Sequence, residues 1–246
     1  MLDAQAIVAS GDPSIFVNDW LDDRDALGTQ TLRRYKSAAP SRGGYSHIDA
    51  IISAEPDYVA LAETPFLNAE HVSSATVAVV PTIDELLEAG DIRRSGKVPK
   101  RPAMLAATTT LVDPSLSPGP GRHLFTLDVF DTPRELDGGW INSDEPRRWL
   151  DSFADVVAPG FSTAIEEWSL LTPPEIERET GIAGGRLAAH NGSALDAMLG
   201  RDREYTRFRF PIGGIYLTGS ATFPGPSLVG AAGRSTAAVV LRDLGR

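Results

Sequence analysis

Cysteine is absent from all 246 residues, so the chain can form neither a disulfide framework nor a thiolate metal site. That composition suits a reducing compartment, and we expect a cytoplasmic location. The chain has four histidines, His47, His71, His123 and His190, and they stand far apart. None has a second histidine or a carboxylate at the spacing that places two ligands on one helix. We therefore expect no metal site.

Basic residues are also in short supply, since 23 lysines and arginines face 33 aspartates and glutamates and the net charge is -10. Nucleic-acid binding requires a clustered basic face, so we expect no nucleic-acid partner. No uncharged apolar run approaches the roughly 18 residues of a membrane-spanning helix, so we expect no transmembrane segment. An apolar fraction of 42% is enough to bury a core, which predicts a globular protein.

Hydrophobic patterning predicts a mixture of strands and helices. Short runs rich in β-branched and apolar residues predict strands at 4–10, 45–53, 75–80, 103–111, 123–130 and 165–170. Helical signals lie at 14–35 with a break near Gly28, and at 82–90, 144–157 and 172–181. Because the two types do not alternate regularly, we predict an α+β fold in which a mixed or antiparallel sheet carries helices on one face.

Two helices have clear boundary signals. Asp12 or Ser14 can cap the first predicted helix, because either side chain can accept a hydrogen bond from a free N–H of the first turn. Thr82 precedes a turn that contains acidic residues, and Gly90 is the predicted end of that helix.

The segment from 208 to 246 reads as a strand, a glycine-rich loop and a helix, a pattern typical of a loop that faces a cofactor. Such loops normally work with a Gly-x-Gly-x-x-Gly turn that follows an N-terminal strand and binds the pyrophosphate of a dinucleotide. That turn does not occur in this sequence.

Six segments, taken in order, carry a family resemblance. They are Val8-Ala-Ser-Gly-Asp-Pro13, Pro56-Asp-Tyr58, the run from Asp113 to His123 (Asp-Pro-Ser-Leu-Ser-Pro-Gly-Pro-Gly-Arg-His), the run from Thr172 to Gly185, and the pair Ile215-Tyr-Leu-Thr-Gly-Ser-Ala-Thr222 and Gly230-Ala-Ala-Gly-Arg-Ser235. Together they resemble the phytoene desaturase-like (phytoene dehydrogenase-related) family of FAD-dependent oxidoreductases. The resemblance spans nearly the whole chain and covers roughly the family's C-terminal half.

This resemblance implies a domain organisation. Residues 1–13 would be a strand of a remnant of the Rossmann-like FAD domain, 14–204 a substrate-binding domain, and 205–246 a segment that contacts FAD. The strands near Val8 and Tyr216 would then lie together and leave a sheet edge for the ADP-binding half to cover. We expect that half to come from a partner chain, or the chain to form a homo-oligomer, and we expect this chain alone to hold FAD weakly or not at all.

The resemblance also implies site residues. The expected cofactor contacts are Gly219, Ser220, Pro224, Gly225, Gly230, Gly233 and Arg234. The catalytic residue is not identified, and His190 is the candidate because it is the histidine that we expect to face a pocket. The family's His-Pro-Gly-Gly-Gly run is replaced here by Phe223-Pro-Gly-Pro-Ser227, in which Pro226 removes an N–H donor and adds bulk. This departure predicts a weaker contact with the flavin.

Two functions remain open from the sequence. In the first, a truncated or split FAD-dependent desaturase or dehydrogenase passes a hydride from a hydrophobic, polyene or polyketide-like substrate to the flavin, as the resemblance implies. In the second, the substrate domain works without flavin, as an isomerase, a cyclase or a protein that binds a hydrophobic ligand. Turn geometry alone would explain Gly219 and Ser220 about as well as cofactor contact does.

Overall fold

The computed structural model describes residues 4–22, 25–37, 43–58, 76–185, 203–225 and 230–246. The chain divides into two compact units. The first, Arg42–Ile176, is called the sheet unit below, and the second, Met1–Ser41 with Glu177–Arg246, is called the terminal unit. The predicted domain boundaries near residues 14 and 204 separate a substrate-binding domain from cofactor-binding segments. A division by packing does not test that assignment, so the boundaries stay predictions.

The sheet unit is built on an antiparallel five-stranded sheet, which confirms the predicted α+β class. Its strands are β2 (Gly43–Ile52), β3 (Val77–Val79), β4 (Met104–Thr108), β5 (His123–Pro133) and β6 (Ile165–Leu171). They lie in the order β3-β4-β5-β2-β6, and every neighbouring pair is antiparallel.

Alternation along the strands gives this sheet one buried face. Side chains that alternate along β2 and β5, among them Ile48 and Phe125, are fully buried in a single apolar cluster. Helix α4 (Glu145–Ala154) covers that face and packs the ring of Phe153 at 5.2 Å from the ring of Phe125. The intervening residues lie on the opposite side, called the open face below. Two shorter helices, α5 (Phe161–Ala164) and α6 (Pro173–Thr180), flank β6 in sequence.

Helix α3 (Ile83–Arg94) begins where the sequence predicts and ends four residues later than predicted. Thr82 and Glu85 form a capping box, so the start follows from local chemistry. The prediction that Gly90 ends the helix is wrong. The left-handed residue that stops it is Gly96, with φ +81°, whose N–H donates to the carbonyl of Arg93 at 3.0 Å.

The terminal unit contains a parallel two-stranded sheet of β1 (Ile7–Ala9) and β7 (Ile215–Leu217). Val8 lies opposite Tyr216, which confirms the predicted meeting of the two end strands. The helices of this unit are α1 (Pro13–Ile15), which runs into a π-helical turn at Phe16–Trp20, then α2 (Thr29–Ser37), α7 (Arg203–Arg207) and α8 (Ala231–Asp243). A second apolar cluster holds β7 against the first helices through Val17, Tyr35 and Phe210.

Asp12 caps α1 as predicted and also ties two parts of the terminal unit together. Its Oδ1 accepts hydrogen bonds from the N–H of Ser14 at 2.8 Å and from the Ser14 hydroxyl at 2.6 Å. Its Oδ2 accepts a hydrogen bond from the N–H of Ala183 at 3.2 Å, and the residue is only 3% exposed. A membrane-spanning length of apolar helix does not occur in the part of the chain that the structure describes.

Candidate cofactor site and open sheet face

The first candidate site lies where β1 and β7 end. Because the two strands are parallel, their carboxyl ends meet, and the N–H of Thr218 donates to the carbonyl of Ala9 at 2.9 Å. Ligands of open α/β sheets bind beyond the carboxyl ends of the strands. The loop that follows Thr218 therefore occupies the position at which a ligand would be expected.

Gly219 is required by the geometry of this loop. Its φ is +80°, a conformation that side-chain-bearing residues rarely adopt. A Cβ atom built on Gly219 would lie 2.9 Å from the carbonyl oxygen of Ser10. Turn geometry thus explains this glycine in full, and its predicted contact with a cofactor stays a prediction.

Thr218 carries an unpaired polar atom at the same point. Its Oγ1 is buried and has no hydrogen-bond partner among the residues that the structure describes. Buried hydroxyls are nearly always paired, and an unpaired one costs about 1–3 kcal/mol. The described residues therefore leave this buried hydroxyl without a hydrogen-bond partner. Sequence reasoning missed Thr218, because the lack of a partner depends on packing that no local pattern reveals.

The neighbouring threonines show how the rest of the loop is satisfied. The Thr222 hydroxyl donates to the carbonyl of Gly219 at 3.0 Å. The Thr236 hydroxyl, on α8, lies 3.0 Å from the carbonyl oxygen of Leu217 and 2.9 Å from that of Ala232. Helix α8 is thereby anchored to the last residue of β7, and its first turn is held near the same strand end.

The start of α8 has open space around its backbone. Gly230, with φ +67°, is the residue before the helix, and no side chain of the described residues caps it. A Cβ atom on Gly230 or Gly233 would meet no described atom within 4 Å. Arg234 is exposed and makes no ion pair with the described parts of the chain. Free N–H groups at such a helix start attract negative charge, as a phosphate group carries.

The structure places the predicted cofactor residues in two groups of the terminal unit. Gly219 and Ser220 lie in a turn at Gly219–Ala221, and Pro224 and Gly225 follow it. The second group, Gly230, Gly233 and Arg234, lies at the start of α8. Residues 226–229, between the groups, and the candidate catalytic His190 lie outside the described residues. The unpaired hydroxyl, the uncapped helix start and the open glycine backbone fit a phosphate-bearing cofactor such as FAD.

A second candidate site lies on the open face of the sheet unit. His47 and Asp128 are direct cross-strand partners, and their side chains form a 2.6 Å hydrogen bond between Nδ1 and Oδ1. The Nε2 of the same histidine is 3.1 Å from Oδ1 of Asp49, two residues further along β2. The hydrogen bond to Asp128 raises the pKa of His47 above its ordinary value of 6.5, although burial opposes the shift. Burial and the charge of Asp128 also raise the pKa of Tyr45.

A cavity of about 520 Å³ opens beside this group. It is within the size range of small-molecule sites. Its lining combines apolar and polar side chains, among them Asp49, Ile51, Leu124, Thr126, Glu167 and Ser169. Sequence reasoning missed this site, although the spacing of His47 and Asp49 was visible, because residues two apart on a strand share a face. The register that adds Asp128 was not visible.

Within the ranges that the structure describes, no three or more His, Asp or Glu residues are grouped so that they could hold a metal ion. The hydrogen bonds of His47 place one imidazole between two carboxylates, an arrangement suited to binding or moving a proton.

Comparison with known proteins gives sequence relatives and a structural neighbour. Over 165 residues the chain is 34% identical to pyridine nucleotide-disulfide oxidoreductase domain-containing protein 2 of Mus musculus and 32% identical to the protein of the same name from Rattus norvegicus. Each match covers 65% of this chain and 28% of the relative. Cyclohexylamine oxidase from Brevibacterium oxydans IH-35A matches with a TM-score of 0.52 and 18% identity, over 100% of this chain and 44% of that one.

No protein-family model matches the chain. The chain spans 28% of the length of its curated relatives, and the match to the oxidase shows a shared fold. Together these findings show sequence similarity to pyridine nucleotide-disulfide oxidoreductase domain-containing proteins and the fold of an oxidase. They do not single out the phytoene desaturase-like family, so that finer resemblance stays a prediction.

Proposed function

We propose that this chain is the C-terminal part of a FAD-dependent oxidoreductase, and that residues outside this sequence supply its dinucleotide-binding half. The observation that carries the proposal is the buried, unpaired hydroxyl of Thr218 at the joint carboxyl end of two parallel strands. The names of the sequence relatives and the fold shared with cyclohexylamine oxidase support the same proposal.

Each group at the strand end has a role in this proposal. Thr218 would donate its unpaired hydroxyl proton to an acceptor atom of the cofactor. The start of α8, with Gly230 and Gly233, would place backbone N–H groups near a phosphate, and Arg234 would add positive charge. Bound FAD supplies the acceptor for the hydride that leaves the substrate.

The cavity on the open face of the sheet unit is the proposed binding site for the substrate. Ile51 and Leu124 offer apolar contact for a hydrophobic substrate, and the cavity beside them is large enough for a small molecule. His47 would hold a proton close to this cavity. Asp49 connects the two, because it lines the cavity and its carboxylate contacts the imidazole. The identity of the substrate as a polyene or polyketide-like molecule rests on the family resemblance alone.

A second candidate function is binding or reshaping of a hydrophobic ligand without flavin, as an isomerase or cyclase would perform it. The open-face cavity favours this candidate, because all of its described lining residues belong to the sheet unit. Orientation of a ligand in such a cavity can accelerate a reaction without redox chemistry.

Purification from the cells that make the protein separates the two candidates. The tagged chain should copurify with a dinucleotide-binding half and show the two visible absorbance bands of oxidised flavin after desalting. The same chain produced alone in a heterologous host should be colourless and should quench added FAD weakly. A colourless native preparation would reject the flavin-dependent function and leave the hydrophobic-ligand candidate.

A further inference from the structure

The cavity on the open face is lined by carboxylates and hydroxyls and, among the described residues, by no basic side chain. Its polar lining residues are Asp49, Thr109, Thr126, Glu167 and Ser169. Strand register brings three of them together, because Asp49 lies directly opposite both Thr126 on β5 and Ser169 on β6. All of these side chains can accept hydrogen bonds, and only the hydroxyls can donate one. The cavity therefore offers mainly acceptors and negative charge to a ligand.

The two carboxylates of the cavity have acceptor capacity left over. Oδ1 of Asp49 is 3.1 Å from Nε2 of His47, whereas no described residue donates to its Oδ2. Glu167 forms no hydrogen bond or ion pair with the described parts of the chain. It lies opposite Ile51, two residues from Asp49 along β2, so the two carboxylates are diagonal neighbours. Residues in that relation are about 7–8 Å apart, and long side chains there can reach a common partner.

The adjacent glutamate on β6 shows that the chain can supply a cation where one is needed. Arg122 donates from Nε to Oε2 of Glu166 at 2.7 Å, so the charge of that carboxylate is balanced. Glu166 is not among the residues that line the cavity. Glu167 does line it and has no arginine or lysine partner in the described ranges. The uncompensated carboxylate is thus the one that a ligand can reach.

The charge near the cavity is negative even when His47 is protonated. The imidazole contacts Asp128 as well as Asp49, and Glu167 adds a third carboxylate on the same face. A cleft with one sign of charge concentrates ions of the opposite sign. An anionic ligand would be repelled there. A plain hydrocarbon would take the carboxylates out of water without giving them a partner, which is costly.

Apolar side chains define the other part of the ligand. Ile51 and Leu124 are direct cross-strand partners on the open face, and Ile51 lies between Leu124 and Glu167. An apolar surface therefore adjoins a carboxylate within the same cavity. In sites of this kind the apolar lining supplies contact area, and a few polar groups fix the orientation of the ligand.

We propose that the open-face cavity binds a primary or secondary amine with an apolar body, held as its ammonium ion by Asp49 and Glu167 and packed on Ile51 and Leu124. This inference rests on the proposed function, in which the cavity is the substrate site, and names the chemical class of the ligand. The N–H groups of an ammonium ion match the free acceptors of both carboxylates. The polyene expected from the family resemblance has no donor for either of them.

Calorimetric titration with three probes of equal chain length tests the ligand class. The protein, purified with its partners from the cells that make it, is titrated near neutral pH with hexylamine, hexan-1-ol and hexanoate. These probes differ in the charge of the head group. We expect hexylamine to bind about tenfold or more tightly than either other probe, as a charge-assisted hydrogen bond implies. No binding of hexylamine, or an affinity no higher than that of hexan-1-ol or hexanoate, would overturn the proposal.

Substitution of the two adjacent glutamates locates the binding. E167Q removes a charge from the cavity and should weaken hexylamine binding about tenfold. E166Q is the matched control and should leave that affinity unchanged, because Glu166 is paired with Arg122 and does not line the cavity. Circular dichroism melting shows that both variants are folded. Equal losses in the two variants would indicate attraction by surface charge in general and would overturn the proposed site.

The flavin content distinguishes this proposal from the function on which it rests. Hexylamine binding that depends on Glu167, in a preparation without flavin, supports the ligand class and rejects the redox function. A flavin-containing preparation that shows no preference for hexylamine rejects the ligand class and leaves the redox function standing.

Discussion

Replacing Thr218 with valine should stabilise the protein and weaken its hold on FAD, two effects that a purely structural residue would not combine. Valine has almost the same shape as threonine, so T218V removes a buried unpaired hydroxyl without opening a cavity. The expected gain is about 1 kcal/mol in the free energy of unfolding. The lost hydrogen bond should lower the affinity for FAD roughly 2- to 10-fold in the completed enzyme, as one net hydrogen bond of about 0.5–1.5 kcal/mol requires.

The same change at Thr236 is the matched control, because that hydroxyl is buried but paired. T236V leaves the carbonyls of Leu217 and Ala232 without this donor, so it should destabilise the protein by about 1–3 kcal/mol. Denaturant unfolding gives the two free energies, and flavin fluorescence quenching gives the affinities. Loss of stability in T218V would show that the Thr218 hydroxyl is paired, and unchanged FAD affinity with T218V in the native complex would show that it does not bind FAD.

Three further substitutions probe other parts of the account. G233A should stabilise α8 by about 0.4–1 kcal/mol, because the added methyl group meets open space. The same methyl group should weaken FAD binding, because a phosphate is proposed to approach the helix there. Unchanged FAD affinity would show that Gly233 does not belong to the cofactor site. G219A should lower the melting temperature clearly, since a Cβ would press on the Ser10 carbonyl and φ is positive. The pKa of folded His47 lies above 6.5, so its contribution to stability is complete below pH 6.5 and disappears as the pH rises through the folded pKa. D128N removes the carboxylate that raises this pKa, so the pKa of His47 measured by NMR should fall. An unchanged pKa would contradict the assigned cause.

Local chemistry made part of the fold predictable. The cap at Asp12, the capping box at Thr82 and the strand alternation of β2 and β5 all depend on residues close together in sequence, and the structure contains each of them. Gly90 shows the limit of such signals, because a glycine can sit inside a helix when the arginines after it suit the last turn and Gly96 supplies the left-handed stop.

The candidate sites were likewise predictable only in part. The meeting of Val8 with Tyr216 was predictable only through the family resemblance, since residues 10–214 lie between the two strands in the chain. The pairing of His47 with Asp128 depends on register between strands, and the unpaired state of the Thr218 hydroxyl depends on what packs around it. Neither property can be predicted from a local sequence pattern, so both became visible only in the structure.

The most direct test of the account is the visible absorbance spectrum of the protein purified, with its partners, from the cells that make it. We expect the two bands of oxidised flavin, retained through desalting and present in the same chromatographic peak as this chain and a dinucleotide-binding half. A colourless peak that contains the chain, and that takes up no FAD when it is added, would contradict the central claim.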